Sequence, residues 1–110
     1  MEATHKELRI FITDEGREPF SEWFGSLRDI KARAKVRVRL DRMSLGNFGD
    51  CHGIGEGVQE LRIDFGPGYR VYCGQEGATI VLLLCGGDKS TQNKDIEVAK
   101  RYWNEYRRKP

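Results

Sequence analysis

The stretch from Glu60 to Cys73, ELRIDFGPGYRVYC, leaves few ways for this chain to fold. Leu61, Ile63 and Phe65 alternate with Glu60, Arg62 and Asp64. After Gly66-Pro67-Gly68, the residues Tyr69, Val71 and Cys73 alternate with Arg70 and Tyr72. Period-two alternation on both sides of a Gly-Pro-Gly turn describes an antiparallel hairpin with one apolar face and one wet face. A three-residue loop at Gly66 to Gly68 pairs Phe65 with Tyr69, Asp64 with Arg70, Arg62 with Tyr72 and Leu61 with Cys73. A slip of one residue would mix the two faces. The expected register gathers Arg62, Asp64, Arg70 and Tyr72 on the solvent side.

The run Thr79 to Cys85, TIVLLLC, is apolar throughout and suits a central strand covered on both faces. It ends in Gly86-Gly87-Asp88-Lys89, where the backbone can approach a ligand closely and Lys89 can reach the wet face. Upstream, Glu7 to Thr13 reads as a strand with Leu8, Ile10 and Ile12 on one side. Pro19 suits the first turn of a short helix that aligns Phe20, Trp23, Phe24 and Leu27.

Residues 30–43, IKARAKVRVRLDRM, alternate apolar and basic residues as a strand would, yet their composition and length favour a helix. On a helical wheel Ala32, Val36, Leu40 and Met43 form one apolar stripe, and Ile30, Ala34, Val38 and Leu45 a second. The helix is therefore expected to be buried on two sides, between the first helix and the sheet. Asn47 to Gly57 lacks periodicity and reads as a glycine-rich loop, with His52 a solvated loop histidine. Ser90 or Thr91 can cap a last helix to about Arg107, with Ile96, Ala99, Trp103 and Tyr106 inward. The order is β, α, α, β, β, β, α.

A chain of 110 residues suits a single domain spanning 1–110. It has no apolar stretch of membrane-spanning length, and Met1 to Lys6 show no signal-peptide core, so a cytoplasmic protein with no membrane partner is expected. Three cysteines without regular spacing argue against a disulfide framework or a zinc site. The net charge of +2 is segregated: −3 over residues 1–27, +5 over 28–42, −4 over 43–88 and +4 over 89–110. Two basic segments on an otherwise acidic chain point to an anionic partner.

The wet face offers guanidinium groups, a phenol and an ammonium, and no carboxylate pair, Ser/His/Asp set or metal cluster; neither metal nor cofactor is expected. A guanidinium fork matches phosphate oxygens and stays charged. RNA carries its own nucleophile, the 2′-hydroxyl, so an enzyme that cuts it needs chiefly orientation and stabilisation of a crowded, negative phosphorus centre. Arg62, Arg70 and Lys89 can supply both. Read as ordinary cross-strand contacts, the same residues would pair Arg70 with Asp64 and lay Arg62 along Tyr72.

The segments EGVQELRIDFGPGYRVYC and TIVLLLCGGDKSTQNKDIEVAK, with LDRMSLGNFGD upstream, resemble the RelE/ParE toxin superfamily, and most of all its phage-derived addiction module killer branch related to HigB toxins. The resemblance implies an α+β fold: an antiparallel sheet of about four strands with two N-terminal helices and one C-terminal helix. It implies the toxin of a type II toxin–antitoxin system, a metal-independent mRNA endoribonuclease working in or near the ribosome. Its partners would be mRNA, the ribosome and a cognate antitoxin, often a helix-turn-helix protein. Arg70 would take the phosphate-stabilising position, with Arg62 and Lys89 beside it. Lys94-Asp95-Ile96 stands where some relatives carry a tyrosine for acid–base work; Tyr72 is a candidate substitute from a different strand, and the resemblance leaves the general acid and base open. Lys31, Lys35, Arg39, Gln92 and Lys94 would bind the substrate. A ParE-like gyrase inhibitor and a non-catalytic RNA- or ribosome-binding module are the alternatives.

Overall fold

The computed structural model describes residues 5–110; Met1 to Thr4, on which the signal-peptide expectation partly rests, lie outside them. The chain runs β1 (Glu7–Ile10), α1 (Pro19–Ser26), α2 (Ile30–Ser44), β2 (Cys51–Gly55), β3 (Val58–Ile63), β4 (Tyr69–Glu76), β5 (Ile80–Asp88), a single 3-10 turn (Lys89–Thr91) and α3 (Gln92–Arg108). The strands form one sheet in the order β1-β5-β4-β3-β2, in which β1 pairs parallel to β5 and the others are antiparallel.

The α+β class stands, and the sheet differs from expectation in two respects. It has five strands, because Cys51–Gly55 lies within the stretch read as a loop. Two of the five residues in that strand are glycines, so it shows no alternation, and it pairs because the outer edge of β3 offers it backbone partners. The sheet is also mixed. The meander from β2 to β5 brings β5 back beside β1 with both strands running the same way. β1 stops at Ile10, short of Thr13. Beyond it Phe11 turns in, 1% exposed and 5.0 Å from the Tyr102 ring, while Ile12 is 52% exposed, against the expected Leu8-Ile10-Ile12 face.

Side chains pack on both faces of the sheet. On one, Leu61, Ile63, Val71, Cys73, Val81 and Leu83 meet Phe20 of α1 and Val36 and Met43 of α2. On the other, Val58, Tyr72, Leu82, Leu84 and Cys85 meet Ala99 and Trp103 of α3. The face expected to be wet is thus largely roofed by α3. β5 serves both faces by alternation, Val81 and Leu83 on one and Leu82 and Leu84 on the other. A bulge opposite Tyr72 and Cys73 inserts Leu84, switching parity so that Cys85 follows Leu84 onto the α3 side.

α2 is a helix, opened by Asp29, whose carboxylate accepts from the Lys31 amide. It is buried on one side only. Ala32, Val36 and Met43 are fully enclosed, whereas Ile30 is 80%, Val38 44% and Leu45 56% exposed. The two-sided expectation fails because α1 packs against β5 beside α2, leaving the outer stripe with nothing above it.

Two tryptophans lie flat against bare backbone. A Cβ on Gly74 would meet the Trp103 ring at 2.4 Å, and one on Gly86 would meet Trp23 at 2.3 Å. At Gly87 it would meet the Asp95 carboxylate at 1.9 Å. The space expected for a ligand at Gly86-Gly87 is therefore filled by the protein's own side chains. Gly86→Ala is expected to destabilise the fold by about 2 kcal/mol through overpacking, read as a lowered denaturant midpoint with unchanged slope.

Candidate functional site

The β3–β4 hairpin pairs Ile63 with Tyr69, Arg62 with Arg70, Leu61 with Val71 and Glu60 with Tyr72. This is two residues from the expected register, so the connection runs from Asp64 to Gly68. Hydrogen bonds from Phe65 N to Ile63 O (2.9 Å) and from Gly68 N to Phe65 O (3.1 Å) draw Asp64 and Phe65 into the turn. Gly66 and Gly68 at φ of 55° and 82° complete it in a region that favours glycine. A shift of two preserves the faces, and the expected Arg70–Asp64 and Arg62–Tyr72 pairings do not form.

Arg62 and Arg70 consequently lie directly opposite each other, an arrangement that needs a counter-charge. Glu60 provides it from beneath. Its side chain is fully buried and accepts from Arg62 Nε (2.8 Å), the Tyr72 hydroxyl (2.9 Å) and the Gln92 amide (2.9 Å). Arg70 Nε lies 3.7 Å from the same carboxylate. Burial alone would push the Glu60 carboxyl up, but the hydrogen bonds from Arg62, Gln92 and Tyr72 hold it below the usual value. Burial, and then donation to Glu60, push the Tyr72 phenol upward.

Above this network a depression of about 270 Å³ is lined by Asp50, Arg62, Ile63, Asp64, Gly68, Arg70 and Lys89. It lies where the roof of α3 ends and the 3-10 turn begins. Asp88 caps that turn through the Ser90 amide (2.8 Å), setting Lys89 at the rim, where its side chain is exposed. Arg70 is 8% exposed; its Nη1 donates to Gly68 O at 2.7 Å, and its buried Nε has no hydrogen-bond partner among the described residues. Three cations from β3, β4 and the 3-10 turn thus share one opening, a setting suited to a phosphate group.

The other expected site residues divide. Tyr72 is 0% exposed with its hydroxyl committed to Glu60, so it supports the floor and does not reach the wet surface it was expected to share. Gln92 likewise turns its amide to Glu60. Arg39 points inward, its guanidinium donating to the carbonyls of Arg62, Phe48 and Asp50 and so clamping α2 to the edge of the sheet. Lys94 is exposed on the first turn of α3. Lys31 and Lys35 lie on the outer side of α2, with Lys35 Nζ 5.8 Å from the centre of the Phe65 ring. Neither lines the depression.

His52, expected to be a solvated loop histidine, is solvent-exposed but lies on a strand beside the site, and it is Asp50, not His52, that lines the depression. His52 stands on β2 opposite Glu60, and its Nε2 lies 2.6 Å from Asp50 Oδ1, the carboxylate at the rim. Asp50 and His52 are two apart, a spacing that places side chains on one face only once the segment is known to be extended. An imidazole oriented by a carboxylate can carry a proton to or from a bound phosphodiester. Among the described residues, no three His, Cys, Asp or Glu side chains gather in a way that could hold a metal ion. No described helix is long and apolar enough to cross a membrane.

No family model matches the chain. An uncharacterized protein of Haemophilus influenzae is 51% identical over 81 residues, a match that covers 74% of this chain and 82% of that protein.

Proposed function

We propose, for a chain that belongs to one family with that Haemophilus influenzae protein, that the depression at Arg62, Arg70 and Lys89 binds and cleaves an RNA phosphodiester. One observation carries the reading: Arg70, held by Gly68 O and by the Glu60 carboxylate 3.7 Å from its Nε, opens together with two further cations onto a single accessible hollow.

In the proposed reaction the 2′-hydroxyl attacks the adjacent phosphorus. The 2′-O–P bond forms as the P–O5′ bond breaks, giving a 2′,3′-cyclic phosphate and a 5′-hydroxyl. The proton leaving the 2′-oxygen passes to a base, and a proton is delivered to the departing 5′-oxygen. Arg70 and Lys89 stabilise the extra negative charge on the phosphoryl oxygens, Arg62 holds the strand, and the His52–Asp50 pair serves proton transfer. The resemblance to the RelE/ParE superfamily supports a toxin restrained by an antitoxin and directed at mRNA on the ribosome.

Inducing the chain alone in a bacterial host, followed by mapping of RNA ends, tests the reading. Halted translation with defined cuts ending in cyclic phosphate is the expected result. Intact message with altered DNA supercoiling would sink it and point to gyrase. His52→Ala is expected to slow cleavage about 100-fold, measured on purified protein.

A further inference from the structure

Of the four large hydrophobic side chains exposed among the described residues, Ile30, Val38 and Leu45 lie along α2 or at its end. Ile30, Ala34 and Val38 follow one another at successive turns, with Leu45 beyond, interrupted only by Asp41 near the end. Ile30 at 80% exposure and Leu45 at 56% carry far more apolar surface into solvent than a stray surface leucine needs to explain. On either side of the ridge lies a hollow. One, of about 320 Å³, is bounded by Lys31, Ala34, Lys35, Val38 and Phe65. The other, of about 460 Å³, is bounded by Ile30, Arg33, Ala34, Arg37 and Val38.

The rims of both hollows are cationic, and their charges are held in place. Arg33 and Arg37 each lie 5.4 Å from the centre of the Phe24 ring, and Lys35 leans on Phe65. Within Ile30–Ser44 six basic residues face a single acidic one. An apolar ridge between two basic rims is complementary to an amphipathic helix whose apolar stripe is bordered by Asp and Glu. Nucleic acid matches the rims and leaves the ridge uncovered; a purely apolar partner matches the ridge and leaves the rims unpaired.

We propose that α2 is the docking face for an acidic amphipathic helix of a separate protein, seated along Ile30, Ala34 and Val38 and bracketed by Lys31 and Lys35 on one side and Arg33 and Arg37 on the other. The assignment stands apart from the chemistry at Arg70, because none of these residues lines the depression there.

The probe is a synthetic helical peptide with leucines at i, i+3, i+4 and i+7 and glutamates at the flanking positions, titrated into the full-length protein by fluorescence anisotropy and by amide chemical shifts. Binding is expected, with shifts confined to α2 and its neighbours. Val38→Asp and the pair Arg33→Glu, Arg37→Glu are each expected to weaken it at least 10-fold, while a leucine-to-serine peptide and an all-lysine peptide do not bind. Arg37 and Val38 are exposed and Arg33 half-buried, and circular dichroism of each variant checks the fold. Shifts elsewhere, or affinity unchanged by Val38→Asp, would overturn the proposal. So would concentration-dependent dimerisation abolished by Val38→Asp, since a second copy would then cover the ridge. Single-stranded RNA that shifts the same amides more tightly than the peptide would overturn it as well.

Discussion

Arg70→Ala is expected to lower RNA cleavage ~100- to 1000-fold, equivalent to about 3–4 kcal/mol of lost transition-state stabilisation by analogy with an oxyanion-hole donor. Arg70 is the cation most firmly held at the site. β4 fixes its backbone opposite Arg62, Gly68 O takes Nη1, and the Glu60 carboxylate lies 3.7 Å from Nε. The side chain therefore arrives with little freedom left to lose on binding. Arg70→Lys keeps the charge and loses the fork, so its rate should fall between the two. Because Arg70 is only 8% exposed, each variant is compared with the parent by denaturant midpoint before rates are compared. A folded Arg70→Ala protein that cleaves within threefold of the parent would remove Arg70 from the chemistry.

Glu60→Leu is expected to cost roughly 3 kcal/mol of stability, the lower end of the range for breaking a buried ion pair. The lower end applies because the Arg62 side chain is 42% exposed and can turn to water. The Tyr72 hydroxyl and Gln92 amide, by contrast, lose their acceptor inside the protein. Two guanidinium groups are also left facing each other without a counter-charge, so cleavage should fall even where the fold survives. Acid separates the charge from the packing. Glu60 is held below its ordinary carboxylate value of 4.5, so its ionised form stabilises the fold at pH above that value. That contribution is lost as pH falls through the depressed value. The stability gap between the parent and Glu60→Gln should be full at neutrality and close on acidification. A gap constant from pH 7 to pH 3 would show that Glu60 acts by shape alone.

The hairpin was legible in the sequence as far as parity. Alternation states which residues share a face, and Arg62 with Arg70 on one side followed from it. It does not state turn length, and here hydrogen bonds inside Asp64–Gly68 set a register two residues away. Polar alternation was also taken to mean solvent, whereas Glu60 and Tyr72 alternate as buried partners of each other beneath α3. Nothing local distinguishes those cases, since the roof comes from residues far along the chain. β2 and the His52–Asp50 pair were invisible for a related reason: a short edge strand with two glycines forms only because its neighbour exists. For α2 the helix was readable and its buried side was not, because both stripes are apolar in the sequence and tertiary packing chooses between them.

The parallel pairing of β1 with β5 has a bearing on how the protein is made. Lys6 Nζ reaches Ala78 O, 72 residues further on, and Phe11 N bonds to Leu83 O. During vectorial synthesis β1 must therefore idle, unpaired, until β5 has left the exit tunnel. Contacts of such separation slow the final collapse. Cation-bearing Lys89 emerges later still, so a truncated nascent chain would carry neither a closed sheet nor a complete cleft.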